Sequence, residues 1–244
     1  MKLKMENLKS QTLIEHLTEL RVCIQRSLWA LVLGFFACVK FSEYLFDVIR
    51  MPIAPYLQSG GLVFTSPVDK FMAHIKVSVM ASAILTCPFW IYQLWLFIAP
   101  GLYKKEKRYA IYFILAGTFL FLSGVLFVYY LVFPMAFKYL LTFGGTTDLP
   151  MITINEYLGF FVSTVLLFGL SFEMPLVIVI LGVLGIFDAK FLREKRRYAI
   201  MIMAVLSAIV TPPDAISMMA LLVPLCLLYE IAIFIVAALQ KKPA

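Results

Sequence analysis

The sequence predicts an all-α membrane protein of six transmembrane helices, several bent at prolines, with short fifth and sixth helices and both termini inside. Three observations carry this. Hydrophobic residues make up 63% of the 244-residue chain and charged ones only 14%, where soluble proteins carry about a quarter charged. Mean hydropathy is +0.95. Six apolar runs, at 22–46, 71–99, 109–133, 157–187, 198–210 and 215–239, punctuate the chain. A helix crossing ~30 Å of hydrocarbon needs about 20 such residues. None of the runs alternates as a β-barrel strand would.

Orientation follows from the bases. The segment before the first run carries Lys2, Lys4, Lys9, Arg21 and Arg26, and "KKEKR" holds four more. Lys190, Arg193, Lys195, Arg196 and Arg197 follow the fourth run, and Lys241 and Lys242 close the chain. The opposite loops hold only Lys40, Arg50, Lys70 and Lys138. The positive-inside rule therefore places both termini in the cytoplasm. The net charge of +7 is spent on topology, and no basic run with interleaved aromatics points to nucleic acid. The N-terminus reads as no cleavable signal peptide, because no small-residue cleavage site follows its first apolar run. No internal repeat or Ser/Gly linker divides the chain, which reads as one integral membrane domain over 1–244.

Taken in order, the loop at 47–70 contains Pro52, Pro55 and Pro67, and the loop at 134–156 contains "FGGTTDLP". Both are long enough for structured caps with short helical pieces. Pro88, Pro175 and Pro224 bend the second, fourth and sixth spans, since each removes a backbone hydrogen bond. The fifth span has 13 residues between 198 and 210, a rise of only about 20 Å. The turn "TPPD", with Pro212, Pro213 and Asp214, joins it tightly to the sixth. Asp214 suits the start of the sixth helix, where an acid satisfies orphan amides.

Chemistry must come from the few charges. Glu173 lies 16 residues from Tyr157 and 15 from Asp188, near mid-membrane. An acid there costs roughly 2.5–3.5 kcal/mol on insertion scales. Pro175 frees the carbonyl of Ser171 beside it. Glu173 is then either a structural hydrogen-bond partner for another helix or a polar docking point for a partner's helix. Glu230, two turns from the end of the sixth helix, calls for pairing with a neighbouring helix. On a helix continued back through "YKKEKR", Glu106 has Leu102, Tyr103, Tyr109 and Ala110 at its i±3 and i±4 positions, none basic. The bases around it sit one and two positions away, on other faces. In "EHLTELR", Leu13, Leu17, Leu20 and Ile24 form an apolar stripe. Glu19 stands off it, with His16, Val22 and Cys23 at its remaining helical positions. That helix is either a solvated amphipathic entry helix or half of a receptor for two positive charges.

His16, His74 and four scattered cysteines match no metal spacing, so neither metal nor cofactor is expected. No paired aspartates, "HExxH" or serine elbow is present, so the chain reads as no enzyme. A small-solute secondary transporter is the alternative. It would show an inverted repeat and paired broken helices at a midplane site.

Four motifs in register, "HLTELR", "FIAPGLYKKEKR", "SFEMP" and "TPPD", resemble the TatC family, the multispanning core of the twin-arginine translocase, from about Leu13 to Leu239. The resemblance implies a protein-transport subunit of the inner membrane. It binds twin-arginine signal peptides and nucleates the Tat complex, which exports folded proteins on the protonmotive force. It implies that Glu19 and Glu106 contact the arginine pair, with Arg21 and Lys104 in support. It also implies that Glu173 engages TatA-like and TatB-like single-span subunits, and that the fifth helix near Met203 to Val210 meets the TatB-like partner. Membrane lipid and possible self-association complete the expected partners. Adjacent arginines of an extended peptide point to opposite sides, so acceptors on two separate segments suit them. One departure stands out: many relatives carry a base where this chain has Cys23, with Arg26 the next base.

Overall fold

The computed structural model describes residues 2–57, 61–98, 110–142, 151–210 and 215–240, without side chains for 2–16, 98, 110, 142, 210, 216 and 217. The described elements are helices, apart from a short 3-10 turn, a π-turn and one isolated β-bridge. They are α1 (Lys2–Val39), α2 (Ser42–Arg50), α3 (Pro67–Leu85), α4 (Cys87–Ile98), α5 (Ala110–Phe127), α6 (Phe133–Thr142), α7 (Ile154–Phe172), α8 (Met174–Val183), α9 (Ala189–Glu194), α10 (Arg196–Val210) and α11 (Ala215–Gln240). Among them four runs are long and apolar enough to cross a membrane: Leu17–Val39, Ile111–Leu141, Ile154–Val183 and Met218–Gln240. The bent pair α3–α4 makes a fifth if it counts as one span.

The first predicted span ends too late. The helix stops at Val39, and a turn at Lys40 and Phe41 separates it from α2. The reason is in "FSEYLFDVIR": Glu43, Asp47 and Arg50 give α2 a polar side, so it lies as an amphipathic cap piece rather than prolonging the span. Two tyrosines hold it. Tyr129 Oη donates to the Val48 carbonyl at 2.8 Å and Tyr157 Oη to that of Ile49 at 2.5 Å.

The second predicted span is one chain segment but two helices, bent by 57° at Thr86. Pro88 has no N–H for the Ile84 carbonyl and its ring crowds that carbonyl. Side-chain donors serve the carbonyls next to it. Thr86 Oγ1 donates to the Ser82 carbonyl at 2.7 Å, and Trp90 Nε1 reaches the Ala83 carbonyl at 3.1 Å. Gly34 of α1 packs against this elbow, leaving no room for a side chain: a Cβ there would lie 2.8 Å from Thr86 Cγ2. Helix α1 thereby contacts both α3 and α4.

Pro134 has a similar effect on the third span. Val128–Val132 form a π-turn in which the Phe133 N–H bonds the Val128 carbonyl five residues back. The wider turn skips the position where Pro134 offers no donor. The fourth span changes helix at Glu173, with Pro175 buried at the second position of α8. Helix α8 ends at Gly185, whose φ of 72° is left-handed, and Ile186 N–H returns to the Leu181 carbonyl at 3.0 Å.

The fifth helix is short, at 15 residues. The sixth is not: α11 runs 26 residues unbroken through Pro224. That corrects the expectation of a short sixth helix. Neighbouring apolar residues Leu221 and Leu225 are buried in the core, and this packing favours continuation of the helix past the proline.

Both predicted cap loops contain ordered pieces, and they are tied together. Val63 pairs with Thr153 through Val63 N–H to the Ile152 carbonyl (3.0 Å) and Ile154 N–H to the Val63 carbonyl (2.8 Å). Asp69 closes a capping box with Ser66 at the start of α3. Its other oxygen accepts from Asn155 Nδ2 at 2.6 Å, while Asn155 Oδ1 accepts from Lys76 Nζ at 2.9 Å. Below the cap, an aromatic stack of Phe133, Phe137, Tyr157 and Phe161 joins α6 to α7. The main core continues from there to α11.

Helices α5 and α7 meet closely at Gly124, where a Cβ would lie 2.9 Å from the Phe168 carbonyl oxygen. A backbone atom cannot rotate away. Gly124→Val should therefore lower stability by about 1–3 kcal/mol, the usual range for overpacking. Gly159→Ala, with nothing within 4 Å of its Cβ, should leave it unchanged or slightly raised. Thermal unfolding of the purified protein in detergent checks both.

Candidate functional site

Glu19 and Arg21 are exposed on α1, close to where its apolar run begins at Leu17. Glu106 and Lys104 lie outside the described residues, as do Pro212, Pro213 and Asp214 of the predicted turn. The helices that flank residues 99–109 are described, and their placement bears on the pair. Helix α4 packs along α1 and against α5. The elbow at Thr86 meets Gly34, 15 residues along α1 from Glu19, or about 22 Å at 1.5 Å per residue. Helix α4 spans 12 residues from that elbow, about 18 Å.

Glu173 is the second candidate, at the junction of α7 and α8. Its Oε1 is buried and has no hydrogen-bond partner. Its Oε2 lies against Gly117 of α5, where an added Cβ would come to 3.2 Å, beside Ile91 and Leu176. Cys87, at the start of α4, is close enough to feel the carboxylate. A facing helix thus contributes a glycine where a side chain would crowd the acid. Among the described residues neither a base nor a donor meets Oε1, so the structural hydrogen-bond reading of Glu173 finds no support at that oxygen. The predicted freeing of a carbonyl by Pro175 is real in chemistry, yet the Glu173 side chain does not use it.

Glu230 does pair with a neighbouring helix. Arg196 Nη2 of α10 lies 2.6 Å from Glu230 Oε2, both side chains about half exposed. The same end of α11 is fastened to the 187–192 segment. Tyr229 Oη donates to the Leu192 carbonyl, and Gln240 bonds the Phe187 carbonyl and Ala189 N–H. On α10, Met203 points inward and is 2% exposed. Ile202, Val205 and Ile209 form the outward side. Any partner contact along α10 would fall on those residues, with Met203 behind them; Val210 closes the helix.

The polar cap cluster of Asp69, Asn155 and Lys76 was not anticipated. A signal for part of it exists, since "SPVD" carries a capping box with proline at the first helical position. The link to Asn155, 86 residues away, leaves no trace in local spacing.

The family model described as Sec-independent protein translocase protein (TatC) matches residues 15–224. A TatC from Desulforapulum autotrophicum is 38% identical over 229 residues, covering 93% of this chain and 85% of its own. One from Carboxydothermus hydrogenoformans is 36% identical and covers 96% of each. A crystal structure described as the twin arginine translocase receptor TatC superposes with a TM-score of 0.80 at 35% identity, covering 93% of this chain and all of that one.

The half-exposed Arg196–Glu230 pair belongs to the class worth about 0–1 kcal/mol. Glu230→Gln should lower the unfolding temperature in detergent only slightly. A large drop would show that the pair fastens α10 to α11 more firmly than its exposure suggests.

Proposed function

Since the chain belongs to the TatC family of Sec-independent protein translocase subunits, we propose that it receives twin-arginine signal peptides through Glu19 and Glu106. It is a transport protein and not an enzyme. Its work is to bind the signal peptide of folded cargo and to nucleate the translocase. The reading places both termini in the cytoplasm and the chain in the inner membrane, with the protonmotive force driving export. The observation that carries the pair is the packing of α4 along α1. Helix α4 is the described element that leads into the segment bearing Glu106, and its contact with α1 supports the pairing.

Guanidinium grips a carboxylate through two parallel hydrogen bonds, and an ammonium cannot copy that fork. With one carboxylate on α1 and one on the following cytoplasmic segment, adjacent arginines pointing to opposite sides each find an acceptor. The bases around Glu106 repel lysine-rich and arginine-rich peptides alike, so selectivity comes from geometry. Arg21 and Lys104 support the acids.

Glu173 serves a different step. A buried carboxylate oxygen without a partner, inside a membrane, suits a polar group arriving on another helix. TatA-like and TatB-like single-span subunits are the partners assigned to it, the TatB-like one also along the outward side of α10.

Glu106→Gln and Glu19→Gln should each weaken binding of a twin-arginine peptide by roughly tenfold to a hundredfold, from the loss of about 1.5–3 kcal/mol per charged hydrogen bond. Isothermal titration in detergent measures this; unchanged affinity in both variants would remove the receptor assignment. Glu173→Ala should leave that affinity intact and reduce crosslinking to the single-span subunits. If peptide affinity falls and crosslinking persists, Glu173 belongs to the peptide site.

A further inference from the structure

A cavity of about 420 Å³ lies between the α1–α2 corner, α3, α5 and α7. Leu45, Ile49, Met80, Ile84, Val125 and Val165 make up much of its wall. The Tyr129 hydroxyl, the nearest polar group, is already committed to the Val48 carbonyl. Three lining residues are exposed, Leu85, Leu126 and Tyr130, so the mouth lies between α3 and α5. Helix α5 belongs to a membrane-crossing run, and α3 to the bent pair that reads as a second one, so the mouth faces hydrocarbon. The π-turn at Val128–Val132 forms part of this wall, and such turns recur at functional sites.

We propose that this cavity seats an acyl chain of a bilayer phospholipid, taken from the leaflet on the α2 side. Size excludes a helix. One α-helical turn with its side chains is 10–12 Å across and 5.4 Å tall, roughly 400–600 Å³, so the space would hold about a single turn. An extended peptide suits it poorly, because its amides would meet mostly aliphatic walls, with the Tyr129 hydroxyl already committed and Tyr130 at the mouth. Water does not fill an apolar cavity of this kind. Left empty, the space would destabilise the packing of four helices around it. A slender aliphatic chain satisfies all of these conditions. Lys40, exposed at the α1–α2 turn two residues beyond the lining Cys38, supplies a cation for the lipid phosphate. This inference rests on the membrane-spanning fold and not on the signal-peptide reading.

The test reconstitutes the full chain in nanodiscs containing a phospholipid with a diazirine near the end of one acyl chain. Crosslinked residues are mapped by mass spectrometry. Labelling should concentrate on 80–85 and 125–130, several-fold above the lipid-exposed Leu33 and Phe36 of α1. Ala81→Phe and Val165→Phe each fill the cavity and should abolish labelling there while sparing Leu33 and Phe36. Lys40→Gln should reduce retention of anionic phospholipid through detergent purification. Labelling of the cavity residues no stronger than that of Leu33 and Phe36 in the unaltered chain would overturn the proposal, even if both filling variants failed to fold. So would labelling unaffected by a folded filling variant.

Discussion

The structure depends on one constraint: inside hydrocarbon, a backbone N–H or C=O that loses its helical partner has no water to replace it. Three of the spans are nevertheless interrupted, at Thr86, at Val128–Val132 and at Glu173. At the first, an indole N–H bonds the Ala83 carbonyl and a threonine hydroxyl adds a second bond to that of Ser82. The second is mended by a change of helical register, so that Phe133 bonds five residues back instead of four. At the third the backbone also continues, with Val177 N–H bonded to the Glu173 carbonyl at 3.1 Å. There, however, the side chain brings a carboxylate whose Oε1 nothing satisfies. His74, Gln93 and Thr118 also hold a buried polar atom without a partner. Among these four Glu173 alone carries a carboxyl group. Its oxygen, unpartnered among the described residues, is the observation on which the proposed docking of a partner's polar group rests.

How much of this was legible follows from the range of each signal. The apolar runs, the short α10 and the bend at Pro88 are local, and all could be read from composition and spacing. The break at Lys40 and Phe41 was missed because "FSEYLF" continues the apolar run; the polar side of α2 emerges only at helical spacing over the next residues. The length of α11 was misjudged in the other direction: its 26 residues run on through Pro224, supported by the packing of Leu221 and Leu225, which local spacing does not reveal. The Asp69–Asn155–Lys76 cluster joins residues up to 86 apart, and pairings of that range are a property of tertiary structure. Of the candidate site, Glu19 was legible as an acid standing off the apolar stripe of its helix, and Glu173 as an acid near mid-membrane. Oε1 of Glu173 adds what spacing could not supply, a buried oxygen with no donor against it.

The cap and the opposite end of the molecule are held by different means. On the α2 side, two tyrosine hydroxyls grip backbone carbonyls, a β-bridge joins the loops, and Asp69 accepts from four donors around one carboxylate. Backbone-directed bonds of this kind resist displacement, because each released carbonyl would need a new donor. At the other end, α9 and α11 are joined through Gln240 and Tyr229, and α10 through an ion pair open to solvent. Solvated ion pairs are cheap to exchange. The chain is thus firm where it would face outward and adjustable where the peptide and its partners would arrive, which matches a receptor that holds its form while ligands come to one side.

Exposed apolar residues carry little information in such a protein. Leu33, Phe36 and Ile209 are more than two-thirds exposed, and in a soluble protein that would demand a partner. Here the lipid is as apolar as they are, so helix association gains nothing from covering them. The informative surfaces are the exceptions to hydrocarbon: a polar atom left without a bond, or a space that lipid can enter and protein cannot. Glu173 is the first kind and the cavity under α2 the second. Each points to an occupant of opposite chemistry, a polar group from another helix in one case and an aliphatic chain in the other. Because one needs a hydrogen bond and the other excludes it, the two occupants cannot exchange places, and the membrane itself sorts them.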